Sequence, residues 1–87
     1  MLGIAKIQAS FPFNKDVVLG VKVLEGRVAK GDKVRIERDG ESIGTGKVTS
    51  LRQGKDETSK VVEGNEAGII ISPSLDFQVG DMVVLHN

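Results

Sequence analysis

KVRIERDGESIGTGKVTSL, residues 33–51, alternates apolar and polar side chains with a period of two. Val34 and Ile36 fall on one face and Lys33, Arg35 and Glu37 on the other, as in a β-strand with one buried and one wet side. Asp39-Gly40 is a strong signal for a two-residue hairpin turn, so residues 41–51 are expected to return as an antiparallel partner. The same pattern recurs outward. IAKIQAS (residues 4–10) alternates, and VVLGVKVL (17–24) is valine-rich and apolar on nearly both faces, as a strand in the middle of a closed sheet should be. FPFNKD (11–16) between them is expected to be a loop, because Pro12 lacks a donor and Asn14 to Asp16 favour turns. Gly64-Asn65 predicts a further turn, Gly68 to Ile71 a buried strand ended by Pro73, and MVVLHN (82–87) the last strand, with His86 at a chain end that usually frays. No window carries the apolar spacing of a helix.

These short strands predict an all-β domain, a small closed antiparallel β-barrel of six to seven strands, since closure removes the open edges a small sheet would expose. Val34, Ile36, Val48, Ile69, Ile71 and Val84 are the expected core. Lys30-Gly31-Asp32-Lys33-Val34 and Val79-Gly80-Asp81-Met82-Val83 repeat x-Gly-Asp-x-Val before a strand. Each should be a corner in which glycine takes a positive φ and the carboxylate accepts backbone N–H groups.

The chain has 87 residues, enough for one hydrophobic core and one domain over 1–87. No apolar run approaches the roughly 20 residues of a membrane helix, and the start lacks the pattern of a secretory signal. There are no cysteines, which excludes a disulfide framework and a thiolate nucleophile and fits a cytoplasmic setting. The zero net charge hides an asymmetry. All twelve Lys and Arg lie at or before Lys60 with eight acids, net +4, and the four acids after it, Glu63, Glu66, Asp76 and Asp81, make the remainder −4. A basic patch results only if the basic strands share a face.

No constellation for catalysis is present. GESIGTGKV lacks the first glycine and the Ser/Thr of a phosphate-binding loop, and no helix follows it. His86 is the only histidine, without a nucleophile or metal-ligand cluster around it, so the chain is not expected to be an enzyme or to carry a cofactor or metal. Three phenylalanines and no Tyr or Trp leave no evident platform for stacking bases, so phosphate contacts and shape would have to supply most of any affinity for nucleic acid.

SLRQGKDETSK, residues 50–60, is nearly devoid of apolar side chains and by composition is a solvated loop. Its context adds a second meaning. The blocks LGVKVLEGRVAKGDKVRIERDG, GKVTSLRQGKDE, VVEGNEAGIII and VGDMV, from about Leu19 to Val84, resemble in order and spacing the barrels that follow the G domain in translational GTPases. The match is closest to the C-terminal barrel of bacterial translation initiation factor 2, which in that family binds the formyl-methionyl end of initiator tRNA. The resemblance implies a domain II type barrel excised from a larger GTPase, which reaches the ribosome through its parent factor and acts as a monomer.

Carried over by position, the tRNA-binding residues implied are Gly20, Val21, Arg52, Gln53, Gly54, Lys55, Glu66, Ala67 and Gly68. Gly20, Arg52, Lys55, Glu66 and Gly68 keep the family's residue type. Val21 and Ala67 replace its two cysteines, Gln53 and Gly54 a loop cation and an aromatic, and Asn65 also departs. Backbone N–H groups near Gly20 and Gly68 are then expected to hold the aminoacylated 3′ end while Arg52 and Lys55 meet phosphates. The alternative is a docking module that binds no aminoacyl end and offers Arg27, Lys33, Arg35 and Arg38 to the ribosome or to a partner protein. Either glycine could also simply relieve crowding in a barrel.

Overall fold

The computed structural model describes all residues, 1–87. It contains eight strands: β1 (Gly3–Phe13), β2 (Asp16–Ala29), β3 (Lys33–Arg38), β4 (Glu41–Gln53), β5 (Asp56–Glu57), β6 (Lys60–Val62), β7 (Glu66–Ser72) and β8 (Met82–His86). Six of them run in the order β1-β8-β3-β4-β7-β2, and the β1–β2 pairing joins the two ends into a closed barrel. All pairings are antiparallel. The two extra strands are short: β5 pairs only with β4 and β6 only with β2.

The expected hairpin forms as read, with Asp39 (φ 53°) and Gly40 (φ 81°) in its turn. The alternation then sorts side chains by face. Sixteen residues make one buried cluster inside the cylinder, among them Ile7, Leu19, Val21, Ile36, Leu51, Ile69 and Leu85. All six expected core residues are buried, although Val84 lies outside that cluster. Leu75 and Phe77, from the segment between β7 and β8, pack against the cluster from its margin. Leu75 reaches the space that inward-facing Gly44 leaves: a Cβ there would stand 2.7 Å from its Cδ1.

FPFNKD is not a loop. β1 continues to Phe13 and β2 begins at Asp16, with Asn14 at positive φ in the turn between them. The register runs through Pro12↔Val17 to Phe13↔Asp16. Pro12 is tolerated because β8 and the Gly80-Asp81 corner before it cover β1 only from Gly3 to Ile7, so beyond that point β1 has a free edge and proline's missing donor costs no ladder bond. The tip of this hairpin is thus a two-stranded ribbon. β2 is likewise longer than residues 17–24, and its pairing with β1 carries two bulges, one with the extra residue Leu24 on β2 and one with the extra residue Gln8 on β1. The turn expected at Gly64-Asn65 is present and β7 spans Glu66–Ser72 rather than only Gly68 to Ile71. His86 lies within β8, opposite Lys33. No helix is long and apolar enough to cross a membrane.

Both x-Gly-Asp-x-Val segments are corners of the kind expected. Gly31 (φ 94°) and Gly80 (φ 98°) take the left-handed conformation. Asp32 accepts the Ala29 N–H at 3.0 Å and pairs with Arg27, and Asp81 accepts the Gln78 N–H at 2.9 Å. Asp81 is buried and receives a two-pronged guanidinium from Arg38, Nε to Oδ1 at 2.8 Å and Nη2 to Oδ2 at 2.9 Å. That hydrogen bonding holds its carboxyl below the usual carboxylate range, against the opposing effect of burial, with the Gln78 N–H adding to it.

The charge asymmetry does not become a segregated surface. β8 lies between β1 and β3 and β7 between β4 and β2, so the acidic end of the chain is threaded among the basic strands.

Candidate functional site

Residues 19–23 of β2 alternate strictly: Leu19, Val21 and Val23 point into the core, which turns Gly20 outward. In β7, Ala67, Ile69 and Ile71 point inward and Gly68 outward. The register places the two glycines directly opposite each other. It also sets Ala9 of β1 beside Gly20, and Arg52 of β4 beside Gly68. Ala9, Gly20, Gly68 and Arg52 therefore form one row across the outer surface of four adjacent strands, about 14 Å long at the normal strand separation.

Neither glycine is forced by the backbone or by packing. Neither has a positive φ. A Cβ on Gly20 would come no nearer than 3.6 Å to the Ala9 Cβ, and one on Gly68 would meet only the Val18 Cγ1, also at 3.6 Å. Both are ordinary contacts, so relief of crowding does not account for either residue. What they do is leave the sheet bare. Both strands are paired on their two edges, which commits these N–H groups to the ladders. The expected backbone donors are thus not free, and the floor offers peptide and Cα–H surface instead.

Two open hollows of about 440 Å³ and about 430 Å³ flank this floor. Val18, Gly54 and Gly68 border both. The larger is edged by Phe13, Asn14, Asp16, Ser50, Arg52 and Ile70, the other by Gln8, Phe11, Gly20 and Glu66 among others. The hairpin tip of β1 and β2 forms one wall and the β4–β5 turn the other.

Of the nine residues expected at the site, Gly20, Arg52, Gly54, Glu66 and Gly68 come together. Val21 and Ala67 border the second hollow, but as buried residues whose side chains belong to the core. Gln53 and Lys55 line neither hollow and project from the β4–β5 hairpin into solvent. SLRQGKDETSK is accordingly not a plain loop: β4 runs to Gln53, Gly54 turns with φ 65°, and β5 pairs Glu57 with Arg52. Arg52 stays mostly free, with Glu57 3.6 Å away and both side chains exposed.

The sequence reading missed the aromatic wall. Phe11 (57% exposed) and Phe13 (48%) stand out from the hairpin tip, one beside each hollow, so two of the three phenylalanines are surface residues at the site. It also missed Lys22, which sits opposite Glu66 on the adjoining outer row. Counting by two from Gly20 reaches Val18 and Lys22. The phenylalanines stay hidden from such counting as long as residues 11–16 are taken for a loop. Of the cations in the alternative reading, Arg27 is held by Asp32, Arg35 by Glu37 and Arg38 by Asp81. Only Lys33 has no acidic partner. No group of three potential metal ligands is present.

Comparison with known proteins gives the arrangement its context. Residues 16–84 match the family model described as elongation factor Tu domain 2. The chain is 38% identical over 82 residues to translation initiation factor IF-2 of Thermosynechococcus vestitus and 39% identical over 84 residues to that of Methylocella silvestris. These alignments take in 94% and 95% of this chain but only 9% and 10% of the relatives, so it spans about a tenth of their length. Among solved structures, a bacterial selenocysteine-specific elongation factor, EF-Sec, superposes with a TM-score of 0.80 over 94% of this chain and 14% of its own, at 22% identity, which is a likeness of fold. The six-stranded barrel thus has the domain II fold of translational GTPases. The chain belongs to the elongation factor Tu domain 2 family.

Proposed function

We propose that this domain serves a translation initiation factor by binding the formyl-methionyl 3′ end of initiator tRNA in the cleft over Gly20 and Gly68, and that it corresponds to the C-terminal barrel of that factor. The observation that carries this reading is the opposed glycine pair: two residues that could each accept a side chain leave a flat backbone floor instead, between an aromatic wall and the exposed Arg52 guanidinium, whose partner Glu57 is solvent-exposed and 3.6 Å away. An RNA terminus has matching parts. Its last base can lie on peptide surface against Phe11 or Phe13, and Arg52 can meet a phosphate as a charge-assisted donor. Lys55, on the exposed turn beyond, adds attraction at longer range. Val21 and Ala67 bring only backbone to the cleft, so the cysteines that stand at these positions in the family are not needed for its outline.

Titration with formyl-methionyl-tRNA over a salt series tests the reading. Arg52→Ala/Lys55→Ala should flatten the dependence of log affinity on log salt by a little under one unit for each phosphate no longer neutralised. Curves identical to wild type would remove the loop from the mechanism. Aminoacylated and uncharged tRNA should differ in affinity. The docking alternative expects no difference, and it has little free charge to work with, since three of its four cations are already in ion pairs.

A further inference from the structure

Away from the cleft, the outer face of β8, β3 and β4 carries a row whose two lysines enter no ion pair, while His86 Nδ1 lies 3.0 Å from the Asn87 oxygen. Lys33 of β3 stands directly opposite His86 of β8 on one side and Lys47 of β4 on the other, and Ser72 of β7 follows Lys47. Lys33 and Lys47 are exposed, and neither takes part in any of the four ion pairs of the molecule. Like charges directly across an antiparallel pair are unfavourable. The barrel holds a second lysine pair in register, Lys6 opposite Lys22, but there Glu66 occupies the next position in the row. At Lys33 and Lys47 the next positions are a histidine and a serine. A shallow hollow of about 430 Å³ lies over this row, bordered also by Thr45, Gly46 and Pro73.

We infer that this row is an anion site for consecutive phosphates of an RNA backbone, distinct from the cleft and reading no sequence. The two lysines and His86, on three adjacent strands, span about 10 Å. Neighbouring phosphates along one strand of a duplex can then face Lys33 and Lys47 together. The hollow has no Phe, Tyr or Trp, the His86 imidazole is its one ring and Val34 its one hydrophobic neighbour, so it offers no apolar pocket to anchor a peptide side chain. Point charges on flexible stems suit phosphates, and phosphates between the two lysines would remove their mutual repulsion.

The test uses the 87-residue chain and a short blunt-ended RNA duplex, which has no single-stranded 3′ end for the cleft, followed by fluorescence anisotropy over a salt series. Lys33→Gln/Lys47→Gln should weaken binding and make the salt slope shallower by about two units, while Lys60→Gln, which alters an exposed lysine bordering neither the cleft nor the row, should cause a far smaller loss. The glutamine variant should melt no lower than wild type at low salt, and Lys33→Arg/Lys47→Arg should keep the affinity. An unchanged slope in the glutamine variant overturns the site. So does loss of duplex binding in Arg52→Ala, which would assign the duplex to the cleft. Displacement of the duplex by polyglutamate at equal charge concentration would overturn the RNA assignment in favour of an acidic protein. None of these results depends on whether the cleft binds an aminoacyl end.

Discussion

Gly26 and Gly20 lie six residues apart on the same strand, and opposite physics keeps each a glycine. At Gly26 the chain has φ 65°, and a Cβ would lie 2.2 Å from the Leu2 carbonyl oxygen. Gly3, its partner across β1 and β2, would drive a Cβ to 2.3 Å from the Arg27 oxygen. No side chain fits there, because two backbones cross too closely. At Gly20 and at Gly68 beside it the backbone is unstrained and a Cβ would make only normal contact. A glycine that architecture does not need is informative about binding, while one that architecture demands is not. The sequence writes both with the same letter.

The largest effect should come from breaking the demanded member of this comparison. Gly26→Ala combines a left-handed conformation, worth about 1–2 kcal/mol against an L side chain, with an overlap that moves backbone. A loss on the order of 4 kcal/mol in urea unfolding is expected, near the lower end of the total stability of a domain this size. A variant as stable as wild type would show that β1 and β2 do not approach as described.

Ile69→Ala comes next. Its side chain is fully buried on the inner face of β7, next to outward Gly68, so truncation should cost about 2–5 kcal/mol by the same measurement. A cost below about 1 kcal/mol would mean that the inner and outer faces have been exchanged.

A smaller, pH-dependent effect belongs to the Asp81 corner. Arg38 and the Gln78 N–H depress the carboxyl in the folded chain, so its stabilising contribution is complete above the ordinary carboxylate value near 3.9 and is lost as pH falls through the lower folded value. Thermal melts from about pH 5 to pH 2 should therefore decline less steeply for Asp81→Asn than for wild type. Parallel curves would show that the pair is not formed in solution.

The smallest effect on stability is the one that sharpens the comparison most. Gly20→Ala and Gly68→Ala should each stay within about 0.5 kcal/mol of wild type, since an unstrained site accepts a Cβ and a less flexible unfolded chain favours it. The same substitutions should lower affinity for formyl-methionyl-tRNA at least tenfold, because each methyl group stands on the floor of the cleft. Unimpaired binding would mean that the floor is not used.

Much of the barrel was legible in the sequence because period-two patterning acts locally: Val34, Ile36, Val48, Ile69 and Ile71 show their facing within a few residues. The Asp39-Gly40 turn and the two Gly-Asp corners were legible for the same reason, as each closes its own hydrogen bonds. FPFNKD was misread because Pro12 forbids a ladder bond only where a neighbouring strand exists, and which part of β1 has a neighbour depends on where β8 ends. The candidate site was legible as a set of separate glycines and cations. That Lys55 and Gln53 miss the hollows while Phe11 and Phe13 reach them was not, since strand register and hairpin length set those positions.

By itself the chain determined that alternating strands would close around aliphatic side chains and where the Asp39-Gly40 turn and the two Gly-Asp corners would fall. Only the tertiary structure decided which residues from distant strands share a surface. It brought Ala9, Gly20, Gly68 and Arg52 into one row, set Lys33 against Lys47 without an acid, and distributed the acidic end of the chain among basic strands. The reason is that side-chain facing follows from each strand's own geometry, whereas neighbourhood across a barrel follows from closure and register, which involve every strand at once.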